Sequence, residues 1–285
     1  MGPTMQKTWF ITGASRGLGA QIAKAAIRAG DRVVATGRTR EAVIEGLGPD
    51  SDQLLSVELD VTYAGQARAA VQAALSRFGT IDVLVNNARY GHLGIFEENT
   101  IQDTQAQFAT NLFGVFNVTW AVLPIMRSAR TGRIFNISSF DGILGAELGP
   151  LQFASKFALQ GFSEFLSKKI TPFGLFVTVV EPSPFRSDFL ASESLRFGES
   201  VVGDYDDWRA QLAASFEQRD AQQPDDPAKL AEAIVRLADE SEPPMRFIAG
   251  SIAVGVADAK LVMRTVGANR ERTAFAVDSD HCAQG

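Results

Sequence analysis

The chain has 285 residues, 46% of them hydrophobic, and carries 27 Lys+Arg against 33 Asp+Glu for a net charge of −6. That size and apolar content suit one large α/β domain, and an acidic balance with interspersed signs argues against a nucleic-acid or anionic-membrane surface. The single cysteine, Cys282, excludes an internal disulfide and fits a reducing cytoplasm, while His92 and His281 stand too far apart in sequence to suggest a metal-ligand cluster.

No uninterrupted apolar run approaches the ~18 residues of a membrane span, and the first residues lack the charged-then-apolar order of a signal peptide. Residues 1–6 are expected to be a flexible leader, and residues 7–285 one domain. Residues 7–11 form a short apolar β-prone run that ends in Thr12-Gly13-Ala14-Ser15-Arg16-Gly17-Leu18-Gly19, followed by an alanine-rich helical segment to Ala29. Strand, glycine turn and helix in that order let a backbone approach a pyrophosphate, with the free N–H groups and dipole of the helix N-terminus facing it. A second strand over 32–36 completes a βαβ unit of the length a dinucleotide half-site needs.

At the end of that strand, where an NAD site places a carboxylate for the ribose 2′-hydroxyl, the chain reads Thr36-Gly37-Arg38-Thr39-Arg40. A carboxylate would repel a 2′-phosphate, whereas Arg38 pairs with it by charge-assisted hydrogen bonds, and Arg16 in the glycine turn reaches the same group. NADP(H) is therefore the expected cofactor, ahead of NAD(H). The alternation continues with a strand at 53–57 leading to Asp60-Val61, a helix at 64–78, and a strand at 81–85 leading to Asn86-Asn87-Ala88-Arg89. A long helix around 105–127 contains Asn111, and a strand at 133–137 opens onto Ser138-Ser139. A helix from about 152 to 170 carries Lys156, and a strand at 175–180 ends in Glu181-Pro182-Ser183-Pro184. Residues 185–220 are polar, aromatic-studded and weakly periodic, as expected of a mobile cover over a site. A proline-started helix at 227–239, a short strand at 246–248 and a helical stretch at 252–265 close the chain. Repeated βα units without a composition break predict a Rossmann-like doubly wound parallel sheet.

Taken together, Thr12-Gly13-x-x-x-Gly17-x-Gly19, Asp60, Asn86-Asn87-Ala88, Asn111, Asn136-Ile137-Ser138-Ser139, Ala154-Ser155-Lys156 and Pro182 with Arg186-Ser187 resemble the short-chain dehydrogenase/reductase family. The resemblance implies a nicotinamide cofactor across the carboxyl ends of the strands. Asp60 and Val61 would border its adenine, Asn87 its ribose, Lys156 the nicotinamide ribose, and Ser187, beyond the Pro182 turn, the carboxamide. It also implies a homodimer or homotetramer built on the two long helices.

The family's catalytic group is Asn, Ser, Tyr and Lys, matched here by Asn111, Ser139 and Lys156. The tyrosine belongs four residues before the lysine and thirteen after the serine, and both counts reach Gln152. Phe153 is adjacent, but one residue on a helix is a rotation of about 100°. Arg89 and Ser183 also stand where the family usually has glycine.

Reducing a ketone develops an alkoxide that an acid must protonate, and a glutamine amide cannot release a proton at useful pH. Carbonyl chemistry should suffer by a factor on the order of 10² to 10⁴. An iminium is already the electrophile and yields its amine without a proton in that step, so an amide that orients the C=N group suffices there. This favours an imine reductase, with Asp141, Glu147 or Asp188 as candidate counter-charges. An Arg89 guanidinium pointing into the pocket would oppose it. Phe140, Phe153, Phe185, Phe189, Tyr205 and Trp208 would suit an apolar or aryl substrate. Two alternatives stay open: a carbonyl reductase whose acid has moved to Tyr90 or to His92, which is as close in sequence, and a protein that binds NADP(H) without catalysis.

Overall fold

The computed structural model describes residues 6–139, 149–183, 195–197, 201–211 and 226–250. In chain order the first half comprises β1 (Thr8–Ile11), α1 (Gly17–Arg28), β2 (Arg32–Gly37), α2 (Arg40–Leu47), β3 (Leu54–Glu58), α3 (Ala64–Phe78), β4 (Val83–Asn86) and a short strand β5 (Gly91–Leu93). Then come α4 (Ile101–Phe108), a π turn (Ala109–Phe113), α5 (Gly114–Ala129), β6 (Gly132–Ile137), α6 (Pro150–Ile170), β7 (Leu175–Pro182), β8 (Leu195–Phe197), α7 (Pro227–Asp239) and β9 (Arg246–Ala249).

Seven strands form one parallel sheet in the order β3-β2-β1-β4-β6-β7-β9. The central strands are apolar at nearly every position, as a sheet covered on both faces requires, and successive side chains divide between two cores. Trp9 and Ile11 pack with α1 and α7 residues such as Ile22 and Ile234, whereas Phe10 packs on the other face with Val71, Val118 and Leu166 from α3, α5 and α6. Trp9 stacks on Phe135 at 6.3 Å, and its indole N–H reaches Asp31 Oδ2 at 2.8 Å, so a large apolar body is buried with its polar atom satisfied.

The expected helices at 64–78 and 227–239 match α3 and α7. Two elements were not anticipated. Helix α2 buries only Val43, so it leaves almost no apolar period to read. The β5–β8 pair joins residues far apart in sequence, and it lays part of the expected cover, residues 195–197, alongside Gly91–Leu93. The long helix begins earlier than expected because Thr100 and Asp103 form a capping box, and it is interrupted by the π turn. Averaged hydropathy makes Ile101–Ala129 long and apolar enough to cross a membrane, which an uninterrupted run does not; 33% of its most apolar window is buried in the fold. The expected helix at 252–265 lies outside the described residues.

Candidate active site

The strand order reverses between β1 and β4, which leaves a crevice at their carboxyl ends where open α/β sheets hold ligands. Thr12 ties the crevice together: its Oγ1 accepts the N–H groups of Asn87 and Ala88, both at 2.9 Å. Asn87 Nδ2 in turn donates to the carbonyls of Thr12 and Gly13, both at 2.9 Å. Gly13 has φ +64, and a Cβ there would stand 2.9 Å from the Ala88 backbone; one on Gly19 would stand 2.3 Å from the Gly13 carbonyl oxygen. The turn therefore needs glycine at both places. Beyond it, Gly17, Leu18 and Gly19 open α1, with Ser15 half-buried and Arg16 exposed before them. The Asp60 carboxylate receives the Thr62 N–H at 2.9 Å and hydroxyl at 2.7 Å, and Asn117 holds the Val61 carbonyl at 2.9 Å. A phosphate-bearing dinucleotide fits this cradle: a close-approach turn, a helix N-terminus without a carboxylate in its first turn, and a free cation beside it. That cation is Arg38, exposed and without a side-chain hydrogen bond or ion pair among the described residues, whereas Arg40 is occupied by Asp50 at 2.7 Å and the Ser56 carbonyl at 3.2 Å.

The expected catalytic residues converge on the neighbouring strand ends. Ser139 follows β6. Lys156, buried in α6, donates to the Ile137 carbonyl at 2.8 Å, which fixes its ammonium beside that same strand end. Gln152 lies one turn earlier on α6 and is 3% exposed. Its Oε1 accepts from Asn111 Nδ2 at 3.2 Å and from Gln107 Nε2 at 2.7 Å. Asn111 is presented by the π turn, a local irregularity that re-aims one side chain.

Gln107 was not anticipated, since a glutamine in a helix ordinarily reads as a solvated residue. Here it is fully buried, and it is the only buried residue of α4. It belongs to a polar row: Asp103, Gln107 and Asn111, four residues apart on one helical face, are bonded in turn to residues 90–92. Asn111 Oδ1 accepts the Tyr90 N–H at 2.9 Å, Gln107 Oε1 accepts the His92 N–H at 2.9 Å, and Asp103 Oδ1 stands 3.2 Å from His92 Nε2. The four-residue spacing of these three residues was the signal available in the sequence. Hydrogen bonds from the Thr100 hydroxyl and N–H, with His92 contributing less, hold the Asp103 carboxyl below the usual carboxylate range.

Tyr90 is thus seated against the site through its backbone, its ring 6.4 Å from that of His92, and Arg89 is exposed. Pro182 ends β7, and the adjoining Ser183 N–H is bonded to the Ala249 carbonyl at 2.8 Å. Phe153 is buried. Ser187, Asp141, Glu147, Asp188, Phe140, Phe185 and Phe189 lie outside the described residues. The described end of the cover is anchored: Glu98 accepts the Val202 N–H at 2.9 Å and pairs with Arg209, and the Tyr205 hydroxyl donates to Glu97 at 2.6 Å.

A seven-stranded parallel sheet with a close-approach glycine turn at its switch point defines a Rossmann-like α/β protein. Residues 7–196 match the short-chain dehydrogenase model. The chain is 38% identical to "Oxidoreductase BOA17" of Botryotinia fuckeliana over 88% of its own length and 91% of that protein's. It is 34% identical to the 3-ketodihydrosphingosine reductase of Bacteroides thetaiotaomicron, covering 85% and 87% of the two chains. The crystal structure of a short-chain dehydrogenase from Streptomyces avermitilis superposes with a TM-score of 0.85 at 35% identity, covering 96% and 99%. The protein belongs to the short-chain dehydrogenase family, a family of oxidoreductases.

Proposed function

We propose that the protein is an NADP(H)-dependent reductase acting on the C=N bond of a small apolar or aryl iminium, with Asn111, Ser139, Gln152 and Lys156 as its site. The observation that carries this reading is the buried amide at position 152, bonded into the fold by Gln107 and Asn111 and unable to release a proton. Bound in the cradle, the nicotinamide cofactor supplies the hydride. The chain's own residues then hold rather than protonate: Lys156 grips the ribose, Ser139 and Gln152 border the reacting bond, and Asn111 keeps Gln152 in place. Arg38, unpaired among the described residues at the end of β2, supports the 2′-phosphorylated cofactor. Exposed Phe113, Trp120, Phe157 and Phe165 on α5, α6 and the π turn support self-association through those helices. The cytoplasm is the proposed compartment.

The test follows NADPH consumption with N-alkyl cyclic iminium salts and matched cyclic ketones. Faster turnover of the iminium salts is expected; turnover of ketones alone would defeat the reading. A second reading is carbonyl reduction with Tyr90 as the relocated acid. It is favoured by the seating of Tyr90 on Asn111 and Gln107, and it agrees with the name of the Bacteroides relative. Under that reading Tyr90→Phe abolishes ketone turnover, and an unchanged rate removes it.

A further inference from the structure

A glutamine amide can sit either way round, and which way decides whether it shows a substrate a donor or an acceptor. In this site the choice is made by backbone groups. The His92 N–H can only donate, and Gln107 Oε1 takes it at 2.9 Å; the Tyr90 carbonyl can only accept, and Gln107 Nε2 gives to it at 3.0 Å. Gln107 is therefore pinned at both ends of its amide and turns N–H toward Gln152 at 2.7 Å. Asn111 is pinned in the same way, with the Tyr90 N–H on its Oδ1 at 2.9 Å and its Nδ2 on the Tyr90 carbonyl at 3.0 Å, and it adds a second donor at 3.2 Å. A reversed Gln152 would push its own NH2 against both. Oε1 is the atom held inward by both donors, so Nε2 is the atom turned away from α4.

We propose that Gln107 is a positioning residue that sets the polarity of the Gln152 amide and thereby selects substrates whose reacting heteroatom carries no hydrogen, an N-alkylated iminium over its N–H counterpart. The inference rests on the C=N reading and selects among C=N substrates only, since an outward donor suits a carbonyl oxygen as well. An N–H iminium would meet Nε2–H donor to donor and leave both unpaired, a loss of roughly tenfold to a hundredfold in discrimination. An N-alkyl iminium asks for no acceptor. Gln107 has the shorter of the two contacts to Gln152 and is the only buried residue of its helix, a place where an apolar side chain would pack without such precise partners.

The experiment compares wild type with Gln107→Glu and Gln107→Met on a ring iminium in its N-methyl and N–H forms, by kcat/KM with NADPH. Wild type is expected to prefer the N-methyl form by roughly tenfold to a hundredfold. In Gln107→Glu a carboxylate stands where the shorter-range donor stood while Asn111 keeps its own, so the hold on the inward oxygen is opposed and the preference moves toward the N–H form, further than in Gln107→Met. In Gln107→Met the Asn111 amide is the one remaining donor, and the ratio shrinks without inverting. The affinity for NADPH, which no contact of Gln107 touches, stays the same in both variants. A second readout is calorimetric binding to the NADP+ complex of an acceptor-only N-methyl lactam against a donor-only protonated cyclic secondary amine. The binding ratio must move toward the secondary amine in Gln107→Glu whether or not an iminium is turned over. Parallel loss on both members of each pair, with unchanged ratios, overturns the proposal. Ketone turnover without iminium turnover overturns the C=N reading and leaves the binding ratio to decide the role of Gln107.

Discussion

Replacing Arg38 by Ala tests cofactor selection at one side chain. Arg38 stands between the end of β2 and the Thr39 cap of α2, exposed and without a hydrogen bond or ion pair among the described residues. Its removal therefore takes nothing from the fold. A charge-assisted hydrogen bond to a phosphate contributes about 1.5–3 kcal/mol, and solvent exposure and salt place this one at the lower end. About 1.5 kcal/mol corresponds to roughly a tenfold weaker Kd for NADPH. NADH, which lacks the 2′-phosphate, should bind Arg38→Ala and wild type alike. Arg40 is the internal control: its guanidinium is spent on Asp50 and the Ser56 carbonyl, so Arg40→Ala should lower the melting temperature and leave the NADPH/NADH ratio unchanged. Both affinities can be read by fluorescence titration at low and high salt, and the NADPH difference should shrink as salt rises. Equal weakening of both cofactors in Arg38→Ala, or a changed ratio in Arg40→Ala, would refute the assignment.

Acid should loosen the row that holds residues 90–92. The folded-state pKa of Asp103 lies below its unfolded value, so the folded form binds a proton less readily than the unfolded chain. The stability this group contributes is full above the ordinary carboxylate pKa of about 4 and is lost as pH falls through the lower folded value. Melting curves of wild type and Asp103→Asn should therefore converge in that acidic window, and a constant gap from neutral to low pH would contradict it. Self-association through the long helices predicts that Trp120→Ser with Phe113→Ser, both more than half exposed and linked through the Phe116 ring, lowers the mass seen in sedimentation while the far-UV spectrum is kept. An unchanged mass would contradict association through these helices.

How much could be read from the residues alone varied with the range of the interactions. The order of strands and helices follows from local periodicity: the central strands are buried on both faces and appear as continuous apolar runs, α3 carries its own stop signal in Gly79, and α7 its own start signal in Asp226 and Pro227. The glycine turn was legible because only a residue without a Cβ tolerates the 2.3 Å approach at Gly19. Position 152 was legible because it could be counted from Ser139 and Lys156 independently. The partners of Gln152 were not. Gln107 gains its meaning from the backbone of Tyr90 and His92, which approach it only through the tertiary fold, and the π turn that aims Asn111 leaves no trace in a 3.6-residue period. That is why the two donors to the Gln152 oxygen, Gln107 and Asn111, have no counterpart in a reading of position 152 alone.

The most direct test of the central claim, that position 152 supplies no proton, is the ratio of ketone to N-alkyl iminium turnover in wild type and in Gln152→Tyr. With Ser139 and Lys156 retained, the account predicts that wild type favours the iminium and that the tyrosine variant gains ketone turnover by a factor on the order of 10² to 10⁴ without a matching gain on the iminium. A wild type that reduces ketones as fast as iminium salts, with no gain from the tyrosine, would contradict it.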